Sequence, residues 1–157
     1  MICLTLTRDT ISDDLEDVRH NLEWIDLVEL RVDRLSNPDP DAVARFPGEL
    51  AKMTGGDTPG PASIVTVRRP ADGGSWSRSE ADRLAMLSQA MSEEGFDYVD
   101  LELDLAESPE GRRLAESARS TGTRIIRSVH DFEGMPDDVA RLYEDLSVRE
   151  DEIPKLA

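Results

Sequence analysis

Apolar and polar residues along this chain follow two alternating periods. Short apolar runs typical of β-strands begin at six places, near Ile2, Ile25, Ala62, Tyr98, Thr123 and Ile153. The segments between them have the wider apolar spacing of amphipathic helices, and each strand–helix unit spans roughly 30 residues. The glycine- and proline-rich segment 54–61 predicts a loop before the third strand rather than a domain linker. This alternation predicts an α/β fold with a parallel sheet and right-handed crossovers.

Local signals predict where three of the helices begin or end. The segment Ser77–Glu80 has the spacing of a capping box and predicts a helix that ends at Gly95. Ser108–Pro109 predicts the start of the next helix, with proline at its first position and Gly122 after its end. The segment Met135–Asp138 predicts a further helix with acidic residues in its first turn, as the helix dipole favours.

The predicted strands are apolar on one face and polar on the other. In the second strand, Val28 and Leu30 alternate with Glu29 and Arg31. The same alternation places further polar residues together on one face: Thr66 with Arg68, Asp100 with Glu102, and Ser128 with His130. One face of the sheet is therefore expected to be lined by charged and polar groups.

This pattern favours a closed barrel over an open sheet. An open doubly wound sheet buries both faces and favours continuous apolar runs. In a barrel, helices cover only the outside, and the inner face is polar near the C-terminal mouth. We therefore predict a (β/α)8 TIM barrel, here only the first five βα units plus the sixth strand, with residues 1–157 forming one partial catalytic domain. Because eight units need ~200 to 250 residues, the chain is expected to be a fragment or a truncated product. The alternative is an open α/β sheet that is complete at six strands.

Composition narrows the class of partner. The formal net charge is −16, and the 18 basic residues comprise sixteen arginines and two lysines. Such a field repels nucleic acid and anionic membranes, so we expect neither as a partner. A surface rich in acid and poor in lysine suggests adaptation to high salt, and the alternative is an ordinary acidic cytosolic protein from a GC-rich genome. The single cysteine and the lack of a membrane-length apolar run predict a cytoplasmic location.

Lys155 and His130 are the two candidates for catalysis. Ile153, Lys155 and Ala157 share one face of a short apolar strand, so Lys155 is expected to point into the barrel and to attack a carbonyl as a nucleophile. His130 lies at the end of the preceding strand and faces the same way, which suits an acid/base role. The alternatives are a solvated surface lysine and a structural histidine. His20 is interpreted as a surface residue.

Further charged residues are expected at the same mouth. Glu29, Arg31 and Arg68 either bind substrate through paired N–H donors or form an ion-pair network that braces the rim. Asp72 precedes two glycines, where the backbone can turn tightly and approach a ligand. Asp100 and Glu102 are inward acids or bridge the barrel core. We find no phosphate-binding loop or metal cluster, and we expect no cofactor because an imine itself acts as the electron sink.

Together these segments resemble type I 3-dehydroquinate dehydratase, the Schiff-base dehydroquinase of the shikimate pathway. The matching segments are Glu29–Asp33, Thr66–Arg68, Asp72–Gly74, Asp100–Leu103, Ser128–Phe132 and Lys155–Ala157. Each motif is short, but all of them occur in order on the expected strands. The resemblance spans the whole chain and about the first two thirds of a family member.

The resemblance implies a lyase that converts 3-dehydroquinate to 3-dehydroshikimate and water, in aromatic amino acid biosynthesis. Lys155 would form an imine with the C3 ketone, and His130 would take a proton from C2 and then protonate the leaving C1 hydroxyl. Glu29, Arg31 and Arg68 match residues that bind the substrate's hydroxyls and organise the site. The implied partner is the small-molecule substrate, and a homodimer is an assembly to be tested.

The chain departs from the family in two ways. The family's usual acid before the two glycines is a glutamate that pairs with the histidine, whereas this chain has the shorter Asp72. The chain also lacks the last strands, to which the family's carboxylate-binding arginine and its lid serine and glutamine belong. Two alternatives therefore stay open: a non-catalytic partial barrel that needs a complementary chain, and another Schiff-base barrel lyase or aldolase.

Overall fold

A computed structural model describes residues 1–54, 60–91, 95–132, 134 and 137–157 of the chain. Its six strands are β1 (Cys3–Leu6), β2 (Leu27–Arg31), β3 (Ala62–Thr66), β4 (Tyr98–Glu102), β5 (Arg124–Val129) and β6 (Glu152–Leu156). Its helices are α1 (Ile11–Asn21), α2 (Pro40–Met53), α3 (Glu80–Ala90), α4 (Pro109–Thr121) and α5 (Val139–Leu146). One short 3₁₀ helix follows each of β2, β3 and β4, and these helices are Val32–Arg34, Pro70–Asp72 and Leu103–Glu107.

All six strands form one parallel sheet in the order β1-β2-β3-β4-β5-β6. Each strand pairs with the strand that follows it in the chain, as in a (β/α)8 barrel. A doubly wound sheet instead reverses its strand order at a switch point. The sequential order confirms the prediction of five βα units and a sixth strand, and it has no switch point of the kind a doubly wound sheet contains.

The hydrophobic core lies between the outer face of the sheet and the helices. Val28 and Leu30 of β2 are fully buried there, as are Val99 and Leu101 of β4. Their polar neighbours in the strand, such as Glu29, point to the opposite, inner face. The predicted alternation of faces is therefore confirmed, and it gives the inner face its charged groups.

The helix boundaries correct the sequence prediction in three places. The capping box of α3 is formed by Ser79 and Asp82, so the prediction that placed it at Ser77–Glu80 is wrong by two residues. The helix ends at Ala90 and not at Gly95. Asp138 is the N-cap of α5 and lies before its first turn, which contains no acidic residue. Positions 135 and 136, and positions 55–59 of the predicted loop, lie outside the described residues.

The boundaries of α4 agree with the prediction. Ser108 caps the helix by accepting a hydrogen bond from the Gly111 backbone N–H, Pro109 is its first residue, and Gly122 ends it in the left-handed conformation. His20 is exposed in the last turn of α1, as predicted. Within the described part of the chain, no helix is both long and apolar enough to cross a membrane.

Candidate active site at the C-terminal ends of the strands

Lys155 lies on the inner face of β6, where two carboxylates from other strands hold its amine. Lys155 Nζ is 3.0 Å from Asp100 Oδ2 on β4 and 3.5 Å from Glu29 Oε1 on β2. About a third of its side chain (34%) remains exposed, and the residue lines a cavity on the inner face of the sheet with Ile64 and Ile126. The predicted inward direction of Lys155 is confirmed.

Asp100 connects Lys155 to a buried ion-pair network. Its carboxylate contacts Arg68 Nη2 at 2.7 Å and accepts a hydrogen bond from Ser128 Oγ. Burial raises the pKa of Asp100, but the positive charges of Arg68 and Lys155 and the Ser128 hydrogen bond outweigh it, so the pKa lies below its usual value. Asp100 is therefore a stable anion directly beside the Lys155 amine.

His130 directly follows β5 and lies two residues beyond Ser128, the β5 residue that pairs with Lys155. The Lys155 backbone is in register with Ser128, and the pairing continues past the strand because Asp131 N–H donates to the Ala157 carbonyl. Alternation along this segment places His130 on the same inner face as Ser128. The Phe132 ring is stacked on the imidazole with a centroid separation of 6.4 Å.

The surroundings of His130 favour its neutral form. Burial and the positive charges of Arg68 and Lys155 lower the pKa of His130, and the negative charges of Asp100 and Asp72 offset only part of this effect. Its Nδ1 atom is buried and has no hydrogen-bond partner within the described residues. A neutral imidazole with a free ring nitrogen can accept a proton at neutral pH.

Asp72 lies near His130 but is bound by a different residue. Its Oδ2 accepts a hydrogen bond of 2.7 Å from Arg69 Nε, and the two Nη atoms of Arg69 bind Asp104. The pairing of Asp72 with His130 that the resemblance implies is thus not made in this structure. Sequence reasoning gave no role to Arg69 or Asp104.

The two glycines after Asp72 are required by the local backbone. Gly73 has φ +74°, and a Cβ atom there would lie against the Phe132 ring. A Cβ atom on Gly74 would lie only 2.0 Å from the carbonyl oxygen of Arg68. The glycines therefore allow the loop after β3 to fold back on its own strand.

Glu29 and Arg31 are both held by hydrogen bonds. Glu29 accepts from Thr66 Oγ1 at 2.7 Å and from Thr5 Oγ1 at 3.1 Å, which places its carboxylate between β1 and β3. Arg31 donates twice to the buried Asp33, at 2.8 Å for each bond.

Asp33 links the end of β2 to the loop after β3. It accepts hydrogen bonds from the backbone N–H groups of Arg68 and Ser75 in addition to those from Arg31. Burial raises the pKa of Asp33, but the Arg31 and Ser75 hydrogen bonds outweigh it and the net pKa is lowered. Sequence reasoning quoted Asp33 within a motif and assigned it no role.

Arg68 is part of the network rather than an open binding group. Its side chain is 3% exposed and contacts Asp100, Glu102 and Ser128. Its proximity to Lys155 and His130 matches the prediction, and of the two predicted alternatives the contacts favour the bracing ion-pair network.

Two buried arginines were missed by sequence reasoning. Arg83 of α3 is fully buried, and it binds Glu102 at 3.0 Å and the Val67 carbonyl at 3.0 Å. Arg127 of β5 lies on the outer face and binds Glu152 of β6 at 2.7 Å. Glu80 and Arg83 have the spacing of an ordinary surface pair on a helix, so only the packing of α3 on the sheet reveals the burial of Arg83.

The described part of the chain contains no candidate metal centre. Among the described residues, no set of three or more His, Cys, Asp or Glu side chains has a suitable arrangement. The charged side chains at the mouth instead form ion pairs with one another, as Arg68 and Lys155 do with Asp100.

Comparison with known proteins identifies the family. Residues 2–157 match the family model described as type I 3-dehydroquinase. The chain is 31% identical over 137 residues to a 3-dehydroquinate dehydratase from Methanococcus maripaludis, covering 87% of this chain and 56% of that protein. It is 32% identical over 124 residues to the enzyme of the same name from Haloquadratum walsbyi, covering 78% of this chain and 49% of that one.

Solved structures show the same fold. The 3-dehydroquinate dehydratase of Enterococcus faecalis superposes with a TM-score of 0.82 at 23% identity, over 98% of this chain and 64% of that chain. The chain thus spans about half the length of the curated relatives it matches. The family model covers nearly every residue from the first strand to the last, and the chain belongs to the type I 3-dehydroquinase family.

Proposed function

We propose that this chain carries the imine-forming half of a 3-dehydroquinate dehydratase site. The observation that supports the proposal most strongly is the position of Lys155. Its accessible amine lies on the inner face, 3.0 Å from the Asp100 carboxylate, on the strand that pairs with the one preceding His130. This arrangement combines a nucleophilic amine, an anion that stabilises a cation at the same nitrogen, and a neutral base.

In the proposed reaction, the Lys155 amine adds to the C3 ketone of 3-dehydroquinate, and the carbinolamine takes up one proton from solvent and loses water to give an iminium ion. The positive charge of the iminium ion forms at the nitrogen that lies beside the Asp100 and Glu29 carboxylates, so the two anions stabilise it. The neutral His130 then removes a proton from C2, and the iminium nitrogen accepts the electron pair as an enamine.

The second half of the reaction reverses these roles. The protonated His130 donates its proton to the C1 hydroxyl, which leaves as water while the enamine electrons re-form the iminium ion. Hydrolysis of the iminium ion then releases 3-dehydroshikimate and the free amine. Burial and the positive charge of Arg68 lower the pKa of His130, so the histidine that gained a proton gives it up readily.

Glu29 and Arg31 are proposed to bind the substrate's hydroxyls, and Arg68 to organise the site. The contacts made by Thr66 and Asp33 hold Glu29 and Arg31 in one orientation before any ligand arrives. Arg68 fixes Asp100 and thereby the Lys155 amine. The role of Asp72 depends on Arg69 and is taken up in the next section.

Borohydride trapping tests the proposal directly. The protein is incubated with 3-dehydroquinate and sodium borohydride, and intact mass and peptide mapping then locate any reduced adduct. We expect one adduct, on Lys155. Lys155→Ala should abolish it, while His130→Ala should slow turnover and still permit trapping.

Lys52 is the matched control, because it is the other of the two lysines and is exposed on α2. Lys52→Ala should leave trapping unchanged. If Lys155→Ala kept full activity, the proposed mechanism would be wrong. An adduct that forms only with sugar-phosphate aldehydes would favour a barrel aldolase.

A second candidate follows from the exposure of the inner apolar face. Ile153 is 40% exposed on this face, and a cavity of about 420 Å³ lies between it, Ile64 and Ile126. A non-catalytic partial barrel would need a complementary chain to cover this surface. Well-folded protein that forms no adduct with 3-dehydroquinate would favour this candidate over catalysis by the chain alone.

A further inference from the structure

We infer that Arg69 is a positioning residue that holds the Asp72 carboxylate away from His130. The inference rests on the proposed function, because it concerns the histidine that is proposed to act as acid and base. It differs from the pairing implied by the family resemblance, in which the acid before the two glycines binds the histidine directly.

All three nitrogen atoms of the Arg69 guanidinium group donate hydrogen bonds to carboxylates. Its Nε donates to Asp72 Oδ2 at 2.7 Å, while Nη1 and Nη2 donate to the two oxygens of Asp104 at 2.9 and 3.1 Å. The planar fork of arginine suits such paired contacts, and they fix its orientation. Asp104 lies in the 3₁₀ helix after β4, so Arg69 ties the Asp72 turn to the neighbouring strand end.

The length of the acidic side chain explains why this contact forms. Arg69 is the N-cap of the 3₁₀ helix Pro70–Asp72, and Asp72 is its last residue, three positions later. Residues at this spacing lie side by side on such a turn. A short aspartate side chain stays close to the turn and reaches Arg69, whereas a glutamate at this position would extend one methylene further.

The charged groups that face His130 come from four elements. They are Arg68 beyond β3, Asp100 on β4, Lys155 on β6 and Asp72 in the 3₁₀ helix. The first three bind one another in the buried network. Asp72 is the remaining anion, and among the described residues its carboxylate binds Arg69 alone, so the contact most easily exchanged is the one between Asp72 and Arg69.

His130 supplies the complementary observation. Its buried Nδ1 has no hydrogen-bond partner within the described residues, although a carboxylate lies close enough to act on it electrostatically. Release of Asp72 from Arg69 would provide an acceptor for an Nδ1–H group and favour the imidazolium form. Arg69 therefore helps to keep His130 neutral and ready to accept a proton.

Proton NMR titration of the two histidines tests this inference without any need for turnover. We expect Arg69→Gln to raise the midpoint of the His130 titration by roughly 0.5 to 1 pH unit. His20, exposed on α1, should keep its midpoint in every variant. Arg78→Gln, which removes another arginine from the same loop region, should leave His130 unchanged.

A double-mutant cycle distinguishes the release of Asp72 from the simple loss of the positive charge of Arg69. If release of Asp72 causes the shift, Arg69→Gln should have no further effect in an Asp72→Asn background. An equal shift in both backgrounds, or no shift in either, would overturn the inference. Should Arg69→Gln fail to fold, Arg69→Lys keeps the charge but cannot bind both carboxylates, and it should shift His130 in the same direction.

The titration also distinguishes this inference from the proposed function. If borohydride trapping gave no adduct while the cycle showed the predicted coupling, the catalytic proposal would fail and the positioning of Asp72 would stand. If trapping succeeded and the coupling were absent, the reverse would hold. Where the chain turns over, the acidic limb of its pH–rate profile should move upwards with Arg69→Gln.

Discussion

Asp100 Oδ2 on β4 lies 3.0 Å from Lys155 Nζ on β6, although 55 positions separate the two residues in the chain. The same carboxylate binds Arg68 and Ser128, and its side chain is fully buried. The Asp100 carboxylate thus forms ion pairs with both Arg68 and Lys155 at the centre of the site.

Removal of this anion should be strongly destabilising. Asp100→Asn leaves Arg68 buried with one ion-pair partner fewer, and breaking a buried pair costs about 3 to 5 kcal/mol. Urea unfolding followed by circular dichroism would measure the loss. Glu110→Gln breaks the exposed pair with Arg113 and should cost under about 1 kcal/mol. Equal effects of the two substitutions would contradict the assigned importance of Asp100.

Asp14 should make stability depend on pH. It is fully buried on α1, its Oδ2 has no hydrogen-bond partner within the described residues, and burial raises its pKa to about 6. Because the folded pKa exceeds the unfolded value of 3.8, the protonated carboxyl favours the fold. This contribution is complete below about pH 4 and is lost as the pH rises through about 6.

Asp14→Asn should therefore raise the free energy of unfolding at pH 8 by about 2 kcal/mol and leave it nearly unchanged at pH 4. Asparagine keeps an oxygen for the Arg8 backbone N–H, which donates to Asp14 Oδ1. Denaturant unfolding at the two pH values would measure the difference. Glu16→Gln, an exposed change on the same helix, should show no pH-dependent gain. A loss of stability at pH 8 for Asp14→Asn would refute the prediction.

Gly74 and Gly48 should respond in opposite directions to alanine. At Gly74 a Cβ would lie 2.0 Å from the Arg68 carbonyl oxygen, so Gly74→Ala should destabilise the fold by about 2 to 3 kcal/mol. At Gly48, inside α2, a Cβ meets nothing within 4 Å, and Gly48→Ala should stabilise by roughly 0.5 to 1 kcal/mol. Thermal unfolding of both variants would test the pair. A neutral Gly74→Ala would show that the loop after β3 relaxes freely.

High salt should stabilise the chain. With a net charge of −16, self-repulsion falls as the Debye length shortens from about 10 Å at 0.1 M to about 3 Å at 1 M. We expect the melting temperature to rise with KCl, measured by calorimetry against sorbitol at equal osmolality. A rise that continues beyond 1 M would support adaptation to high salt, and one that ends near 0.3 M would support an ordinary acidic protein. A fall would contradict both.

Much of the site could be predicted from sequence because strands impose a simple alternation. Once Val28 and Leu30 are assigned to the helix-covered face, Glu29 and Arg31 must point inwards. The same argument applied to β6 gave the direction of Lys155. The order of motifs along the chain then gave the family without knowledge of any contact.

The start of α3 was predicted less well, because two serines near it have the same spacing to an acidic residue. Ser77 and Ser79 both precede acidic residues at three-residue spacing, so the sequence offers two similar capping boxes. Only Ser79 is used, because the Trp76 indole N–H donates to the Ser79 carbonyl and the helix starts directly after that residue. Nothing in the local pattern distinguishes the two serines.

The amino-acid sequence by itself determined the parallel α/β architecture, the polar inner face, and the placement of Lys155 and His130 at neighbouring strand ends. Periodicity and chain order are sufficient for these features. Only the tertiary structure decided which charges bind each other: Arg83 with Glu102, Lys155 with Asp100, and Asp72 with Arg69 rather than His130. With sixteen arginines and 34 acidic residues, many pairings are compatible with the sequence. Distances of a few ångströms set by the packed sheet select among them, because ion pairing in a buried site depends on position and not on spacing along the chain.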